Sequence, residues 1–260
     1  MQTADGKTVK ILTFEHADDP GILSRWAKHF RQHYCLDSEI DQLRQPTGLS
    51  RMEYLKTYVF PSRTQGLGPS VRSADFAEIL VADYFQFLAN WLVPRIRYRF
   101  KAIPDESTKG TDILAFQLAG GTNLAKEVYS ANDVMLCVEV KAQFSGSAAP
   151  SKLQEAIDHS AKDQYRKGLS LNAMHQRLRQ IGDLAGVQLV TRFQNPTDHP
   201  YLSRSAATAF YCESVFKEEV VSTASTAQHP ESGTLVLFVF KGQEMMKLVH
   251  RLYEVAANEA

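Results

Sequence analysis

The sequence predicts an α/β protein in which a mixed β-sheet is flanked by helices. Short apolar runs rich in β-branched residues, such as 133–143 and 235–240, are typical of buried strands. Longer stretches with apolar residues at helical spacing lie before and after these runs. With 260 residues, the chain is long enough for one large domain or for a domain with an extension.

The first part of the chain, residues 1–70, is predicted to be an α-rich N-terminal extension. Asp18 or Asp19 is a suitable N-cap for its first helix, and Pro20 suits a first turn. A segment rich in Gly, Pro and Ser then separates the extension from a second domain over 71–260. The elements predicted for the extension are a strand over 7–16, a helix over 18–36, a helical stretch over 38–58 and a loop over 60–73.

The second domain, 71–260, contains most of the predicted sheet. Ser73 is the expected N-cap of a long apolar helix, and a later helix has Leu153, Ile157, Ala161 and Tyr165 on one face. No separate element is predicted between 186 and 234. The predicted elements are a helix over 73–93, strands over 94–102, 110–118 and 133–143, helices over 149–168 and 169–185, a strand over 235–240 and a helix over 242–256.

The strand over 133–143 places an acid and a base in an otherwise apolar run. Side chains alternate along a strand, so Glu139 and Lys141 share one face, and Gln143 follows them. Buried charge is costly unless it is paired. One interpretation is an ion pair that holds the core together, although such pairs stabilise a fold less well than apolar packing does. The other interpretation is that the two residues carry chemistry.

Asp112 supplies a second carboxylate, because it stands at the start of a strand that can lie beside the first. Two carboxylates at neighbouring strand ends form an oxygen-rich site for Mg²⁺ or Mn²⁺. A lysine beside the metal, here Lys141, can orient water and offset transition-state charge, as phosphodiester hydrolysis requires. The alternative for Asp112 is a turn aspartate after Gly110 and Thr111.

Asp112 followed by Glu139-Val140-Lys141 resembles the motif of the PD-(D/E)xK nuclease superfamily, which has the restriction-endonuclease-like fold. Thr111 stands where the superfamily motif has proline, a departure that leaves the carboxylate in place. The superfamily often has an acidic residue on a helix before the core strands. The resemblance therefore implies Glu78 as a third metal ligand and catalytic residue, whereas the alternative is a glutamate that interacts with the helix dipole.

Three segments, "RSADFAEILVADYF", "KGTDILAF" and "CVEVKAQ", more specifically resemble the nuclease subunit of the Hachiman anti-phage defence system, the HamA family. This resemblance implies a Mg²⁺-dependent DNA nuclease that acts as the effector of a bacterial complex with a superfamily-2 helicase. The extension over 1–70 is then a candidate docking surface. Two alternatives stay open: a non-catalytic subunit that docks and restrains a helicase, and a stand-alone restriction-type endonuclease.

Two basic segments are candidates for contact with nucleic acid, since lysine and arginine can follow a phosphate backbone. The alternatives are an edge strand protected by charge and a solvated helix face. The 29 basic and 29 acidic residues give zero formal net charge, so any DNA-binding surface has to be local. The first set is Arg95, Arg97, Arg99 and Lys101, on one face of the predicted strand; the second is Lys162, Arg166 and Lys167, followed by Arg177 and Arg179.

Other patterns limit the compartment and the chemistry. The sequence has no apolar run of membrane-spanning length, no signal-peptide pattern and three scattered cysteines, so a reducing cytoplasm is expected. It lacks GxxxxGK[ST], and the segment over 118–127 has no lysine where such a loop needs one, so the chain is not expected to hydrolyse ATP. His29 and His33, near Cys35, lack further ligands at zinc spacing and are expected to be packing or surface residues.

Overall fold

A five-stranded mixed sheet forms the centre of the protein in the computed structural model, which describes residues 1–121, 129–146 and 151–260. The order of the strands across the sheet is β1-β5-β4-β3-β2; β2 is antiparallel to β3, and all the other neighbours are parallel. The predicted mixed sheet with flanking helices is confirmed. The strands are β1 (Val9–Phe14), β2 (Ile113–Gln117), β3 (Val134–Gln143), β4 (Leu202–Cys212) and β5 (Val236–Gly242).

The helices flank this sheet, and no helix in the described ranges is long and apolar enough to cross a membrane. Short 3₁₀ and π segments cover Gln45–Thr47, Leu55–Val59 and Tyr84–Leu88. The α-helices are α1 (Pro20–Gln32), α2 (Ile40–Arg44), α3 (Arg51–Tyr54), α4 (Gly68–Asp83), α5 (Lys152–Ser160), α6 (Asp163–Gln180), α7 (Leu184–Thr191), α8 (Glu218–Val221) and α9 (Met245–Asn258).

The N-terminal segment contributes both a helix and a strand. Asp19 caps α1 by accepting a hydrogen bond from the backbone N of Ile22 at 2.8 Å, as the sequence predicted. The stretch predicted as one helix over 38–58 is instead broken, with a left-handed residue, Gly48, between α2 and α3. Strand β1 pairs with β5 along its whole length, so the sheet includes residues from both sides of position 70.

Helix α4 begins five residues earlier than predicted, within the expected loop. Gly68 makes this early start sterically feasible, because a Cβ there would lie 2.3 Å from the carbonyl oxygen of Ser62. Ser73 is therefore not the N-cap; its hydroxyl donates to the carbonyl of Pro69 inside the helix. Glu78 consequently lies in the middle of α4 rather than in a first turn, so the helix-dipole explanation does not account for its position.

The strand predicted over 94–102 is wrong, because this segment forms turns and irregular backbone. The nearest sheet contact is an isolated bridge between Leu92 and Phe116. The predicted helix over 149–168 is also wrong in part: α5 ends at Ser160 and α6 begins at Asp163 and continues beyond 168. Positions 149 and 150 of that prediction, and most of the 118–127 segment, lie outside the described residues.

Apolar side chains cover both faces of the sheet. Leu136, Val138 and Val140 pack on one face against α4 and its neighbours, as the alternation in β3 predicted. The opposite face carries one cluster that includes Ala207 and Tyr211 and packs on α5, and another beneath α6 and α7. The sheet is thus sandwiched between helices, and the charged ends of β2 and β3 open beside α4, α5 and α6.

Candidate active site

A cleft of about 990 Å³ lies where β2 begins and β3 ends. It is bordered by the first turns of α4, by α5 and α6, and by Met246 and His250 of α9. The four residues predicted to be catalytic all line it: Glu78, Asp112, Glu139 and Lys141. Positions more than 60 residues apart in sequence are therefore brought together in one cleft.

The pairing of β2 with β3 sets the position of Asp112. Ile113 lies opposite Val138 in the antiparallel register, so Asp112 comes next to Glu139. Its Oδ2 accepts a hydrogen bond from the backbone N of Val140 at 2.9 Å, which holds the carboxylate against β3. Gly110, with φ of +100°, supplies the left-handed turn that leads into this position. Asp112 therefore lines the cleft beside Glu139, at the end of the turn that Gly110 begins.

Glu139 is almost completely buried, and each oxygen of its carboxylate accepts a hydrogen bond from a basic side chain. Lys141 Nζ donates to Oε1 at 2.6 Å, and Arg166 Nη2 donates to Oε2 at 2.7 Å. His159 Nδ1 lies 3.5 Å from Oε1. Burial lowers the pKa of His159, and the nearby Lys141 ammonium lowers it further, so this imidazole is neutral at physiological pH.

Glu78 approaches Asp112 from α4 through a shared arginine. Arg97 Nη2 donates to Asp112 Oδ1 at 2.8 Å, and its Nε lies 2.9 Å from Glu78 Oε2. The hydroxyl of Tyr98 donates to the same Glu78 oxygen at 2.5 Å. The Glu78 and Asp112 carboxylates therefore share one cation, Arg97, and a third acidic residue, Glu139, adjoins Asp112.

Burial and crowding disfavour the charged forms of these acids. Burial, followed by the charge of Asp112, raises the pKa of Glu78 to about 8. Burial and the charge of Glu139 likewise raise the pKa of Asp112. Acids with raised pKa values in an open cleft are typical of functional sites, because a bound cation or a proton relieves the repulsion. The site has the oxygen donors that a hard divalent cation such as Mg²⁺ prefers.

The four basic residues of the first predicted nucleic-acid set do not form an open stripe, since their segment is not a strand. Each instead contacts an acidic side chain: Arg95 with Asp83, Arg97 with Glu78 and Asp112, Arg99 with Glu39 and Lys101 with Asp75. At least four-fifths of each basic side chain is buried. The single-face geometry on which the first set depended is therefore wrong.

The second predicted set is divided by the break between α5 and α6. Lys162 is exposed, whereas Lys167 is partly buried and donates to the hydroxyl of Ser203 at 3.0 Å. Arg166 points into the cleft, where it contacts Glu139 and Asp163. Of these three, Arg166 lines the cleft with the catalytic candidates, and it is joined there by Lys109 and Lys152.

No pattern in the sequence predicted that Arg97, His159 or Arg166 would lie beside the candidate catalytic carboxylates. Arg97 was assigned to a strand that does not form, and Arg166 reaches Glu139 because the chain turns between α5 and α6. His159 lies near the end of α5, away from the apolar positions that predicted that helix. Several acids in one buried site need cations nearby, because unpaired buried charge is costly. That requirement is the only indication that basic residues such as these would lie there.

The fold and the site together define an α/β protein with a carboxylate–lysine cleft at one edge of a mixed sheet. The family model for HamA matches residues 1–256, and the chain belongs to the HamA family. Membership of this family makes it a component of the Hachiman anti-phage defence system. A comparison with curated proteins gave no match.

Proposed function

We propose that this chain is a Mg²⁺-dependent DNA nuclease, the effector of a defence complex that includes a superfamily-2 helicase. The observation that carries the proposal is the convergence of Glu78, Asp112, Glu139 and Lys141 in one cleft. Three carboxylates next to a lysine are the donor set that metal-assisted phosphodiester hydrolysis needs. The family membership and the resemblance to PD-(D/E)xK nucleases support the same class of reaction.

The residues of the cleft have distinct roles in this proposal. Glu78, Asp112 and Glu139 would hold Mg²⁺ or Mn²⁺, which when bound polarises the phosphate and lowers the pKa of water. Lys141, whose pKa rises because the attraction of Glu139 outweighs the effect of burial, stays charged and donates to the attacking water or a phosphate oxygen. Lys109, Lys152 and Arg166 line the cleft and would attract the DNA backbone.

Binding of a metal would change the ion pairs that now satisfy the acids. Arg97 bridges Glu78 and Asp112, and Arg166 and Lys141 occupy both oxygens of Glu139. Of these cations, Arg166 is bound to Asp163 as well, so it keeps a partner when Glu139 turns to the metal. The side chains of Arg166 and Lys141 are also partly exposed, which leaves them free to contact a phosphate.

The same ion pairs favour a second candidate function, a non-catalytic subunit that docks and restrains the helicase. In that case the cations permanently neutralise the acids, and no metal enters. The two functions differ in what Mg²⁺ does. Mg²⁺ should stabilise a nuclease against unfolding and allow it to cleave DNA. It should have neither effect on a docking subunit.

The test measures cleavage of linear and circular DNA, with RNA as a parallel substrate, by the chain alone and together with its helicase partner. Activity is expected with Mg²⁺ or Mn²⁺, and it should stop with EDTA and fail with Ca²⁺, which prefers more ligands and looser geometry. Because the chain has no net charge, unaided DNA binding should be weak, and ATP should raise cleavage by the complex.

The control is a pair of matched substitutions. Glu139→Gln should abolish cleavage while the circular dichroism spectrum and partner binding are retained, because it removes one negative charge without changing size. Glu244→Gln changes the same residue type in an exposed pair with Lys247 and should leave cleavage unchanged. Full cleavage in EDTA would reject the metal dependence, and full cleavage by Glu139→Gln would reject this cleft as the active site. ATP-independent digestion by the isolated chain at the rate of the complex would reject control by the partner.

A further inference from the structure

A second group of potential ligands lies between α1 and α4, away from the cleft. His29 lies in the last turn of α1, and His33 is the C-cap residue that follows the helix; four residues apart, they lie on the same face. Asp83 is the last residue of α4. His29 Nε2 lies 3.2 Å from His33 Nε2 and 3.1 Å from Asp83 Oδ1, and all three atoms lie within 4.8 Å of one another.

We propose that His29, His33 and Asp83 bind a Zn²⁺ ion. Two imidazoles and one carboxylate are a common zinc donor set, and zinc bonds of about 2.0–2.2 Å place tetrahedral ligand atoms about 3.3 Å apart. The His29 Nε2 distances, 3.1 and 3.2 Å, are close to this spacing. Water supplies the fourth ligand, because 37% of the His29 side chain is exposed.

The donor atoms of this site favour a different metal ion from those of the cleft. Nitrogen ligands favour Zn²⁺, whereas the all-carboxylate set of Glu78, Asp112 and Glu139 favours Mg²⁺ or Mn²⁺. Neither histidine lines the cleft, nor does Asp83. The sequence supplied only the His29–His33 pair with Cys35 nearby, but Cys35 points to the carbonyl of Leu36 instead. The missing ligand is Asp83, which lies 50 positions beyond His33 and is brought there by the fold.

Arg95 is the group that competes with a metal at this site. Its guanidinium donates to Asp83 Oδ1 at 2.6 Å and lies 3.3 Å from His33 Nε2. It also donates to the carbonyl of Ile79 at 2.9 Å and to the side chain of Gln86 at 3.3 Å. These two acceptors would keep Arg95 satisfied when Zn²⁺ takes its place at Asp83 and His33.

An ion held here would fix α1 to the end of α4, the same helix that carries Glu78 to the cleft.

The test is calorimetric titration of the full chain with Zn²⁺ in excess Mg²⁺, in a Glu139→Gln background that weakens the cleft as a competing site. Tetrahedral Co²⁺ absorption reports the geometry independently. One equivalent should bind, and His29→Gln or His33→Gln should weaken binding by about 100-fold or more, since even outer partners of a ligand contribute about 10–100-fold. His16→Gln, at an exposed histidine outside the group, is the matched control and should bind normally.

Arg95→Gln gives the opposite expectation and separates a metal site from a purely structural one. It removes the competing cation from Asp83 and His33, so Zn²⁺ should bind more tightly. Absence of a bound equivalent, unchanged binding in His29→Gln, or weaker binding in Arg95→Gln would each overturn the proposal and leave a hydrogen-bonded polar network. Because the His29 side chain is partly exposed, His29→Gln tests the site even where His33→Gln does not fold.

Discussion

The Asp75–Lys101 pair and the Glu139–Lys141 pair have the same chemistry and the same N–O distance, 2.6 Å, but different surroundings. Only 5% of the Lys101 side chain and 3% of the Asp75 side chain are exposed. In the other pair, 20% of the Lys141 side chain is exposed, and both residues line the cleft. Asp75 lies on α4 one turn before Glu78, so a single helix contributes to both regions.

The partners of the two acids explain the difference. Asp75 accepts from Lys101 and from the hydroxyl of Tyr34, which is itself hydrogen-bonded to Tyr253 at 2.6 Å. This closed network joins α4, α9 and the turn that follows α1 inside the core. Glu139 instead adjoins another carboxylate, Asp112, in an open cleft. An acid–lysine pair within a fold is therefore informative about function only when it lines an open cleft and has further acidic neighbours.

The largest expected effect is on stability at the closed pair. Lys101→Met should lower the free energy of unfolding by about 3–5 kcal/mol, because it leaves the buried Asp75 carboxylate without its cation. Urea denaturation measures this loss. Lys141→Met should lower stability much less, since the cleft admits water to Glu139 and Arg166 remains bound to it. Equal losses in the two variants would mean that access to solvent does not distinguish the pairs.

The second effect is on activity and follows from the proposed nuclease. Lys141→Met should reduce the rate of DNA cleavage by about 10²–10³, the usual cost of removing one transition-state donor. Lys247→Met, in an exposed ion pair, is the matched control and should cleave normally. If the Lys141→Met protein cleaves at the wild-type rate, Lys141 has no role in cleavage, and the two pairs differ only in their exposure to solvent.

The third effect concerns pH and the raised pKa of Glu78, which moves from 4.5 to about 8 in the folded chain. A folded acid with a raised pKa binds more protons than the unfolded chain between these values, so its contribution to stability falls as pH rises from 4.5 to 8. Glu78→Gln should remove this loss and flatten the profile by about 1 kcal/mol or more. Thermal unfolding at several pH values tests it, and parallel profiles would contradict the assigned shift.

The smallest effect is expected at the surface. Glu244 and Lys247 form an ion pair at 3.0 Å in which both side chains are mostly exposed. Replacing both, with Glu244→Gln and Lys247→Met, should change the free energy of unfolding by less than about 1 kcal/mol. A larger loss by urea denaturation would show that the distance between the charges, rather than their burial, decides how much such pairs stabilise this protein.

Strands β2, β3 and β5 and three candidate site residues were predictable, because the alternation of side chains needs only the sequence. Asp112, Glu139 and Lys141 lie on local patterns that β2 and β3 preserve when they pair. Strand β4, between β3 and β5, was not predicted. Its sequence "LSRSAATAFYC" is rich in Ser and Ala, which favour strands less than β-branched residues do, and pairing on both sides compensates.

What the sequence did not predict depends on long-range contacts. The alternation in "PRIRYRFK" predicted a strand, but Arg95, Arg97 and Lys101 are held by acids of α4 and the Asp112 turn instead. Charge pairs with partners far along the chain override a local period of two, as tertiary context commonly does for strand patterns. The contact between Arg166 and Glu139 is of the same kind, since it requires the turn between α5 and α6.

The pairing of β1 with β5 also has a consequence for synthesis on the ribosome. β1 begins at Val9, but its partner strand β5 begins at Val236, so β1 has no partner in the sheet until β5 has been made. Met246 and His250, which border the cleft, are made later still. A chain that lacks these residues therefore lacks a finished cleft. Pairing over this separation in sequence is also intrinsically slow, because loop-closure entropy is lost before the strand contacts form.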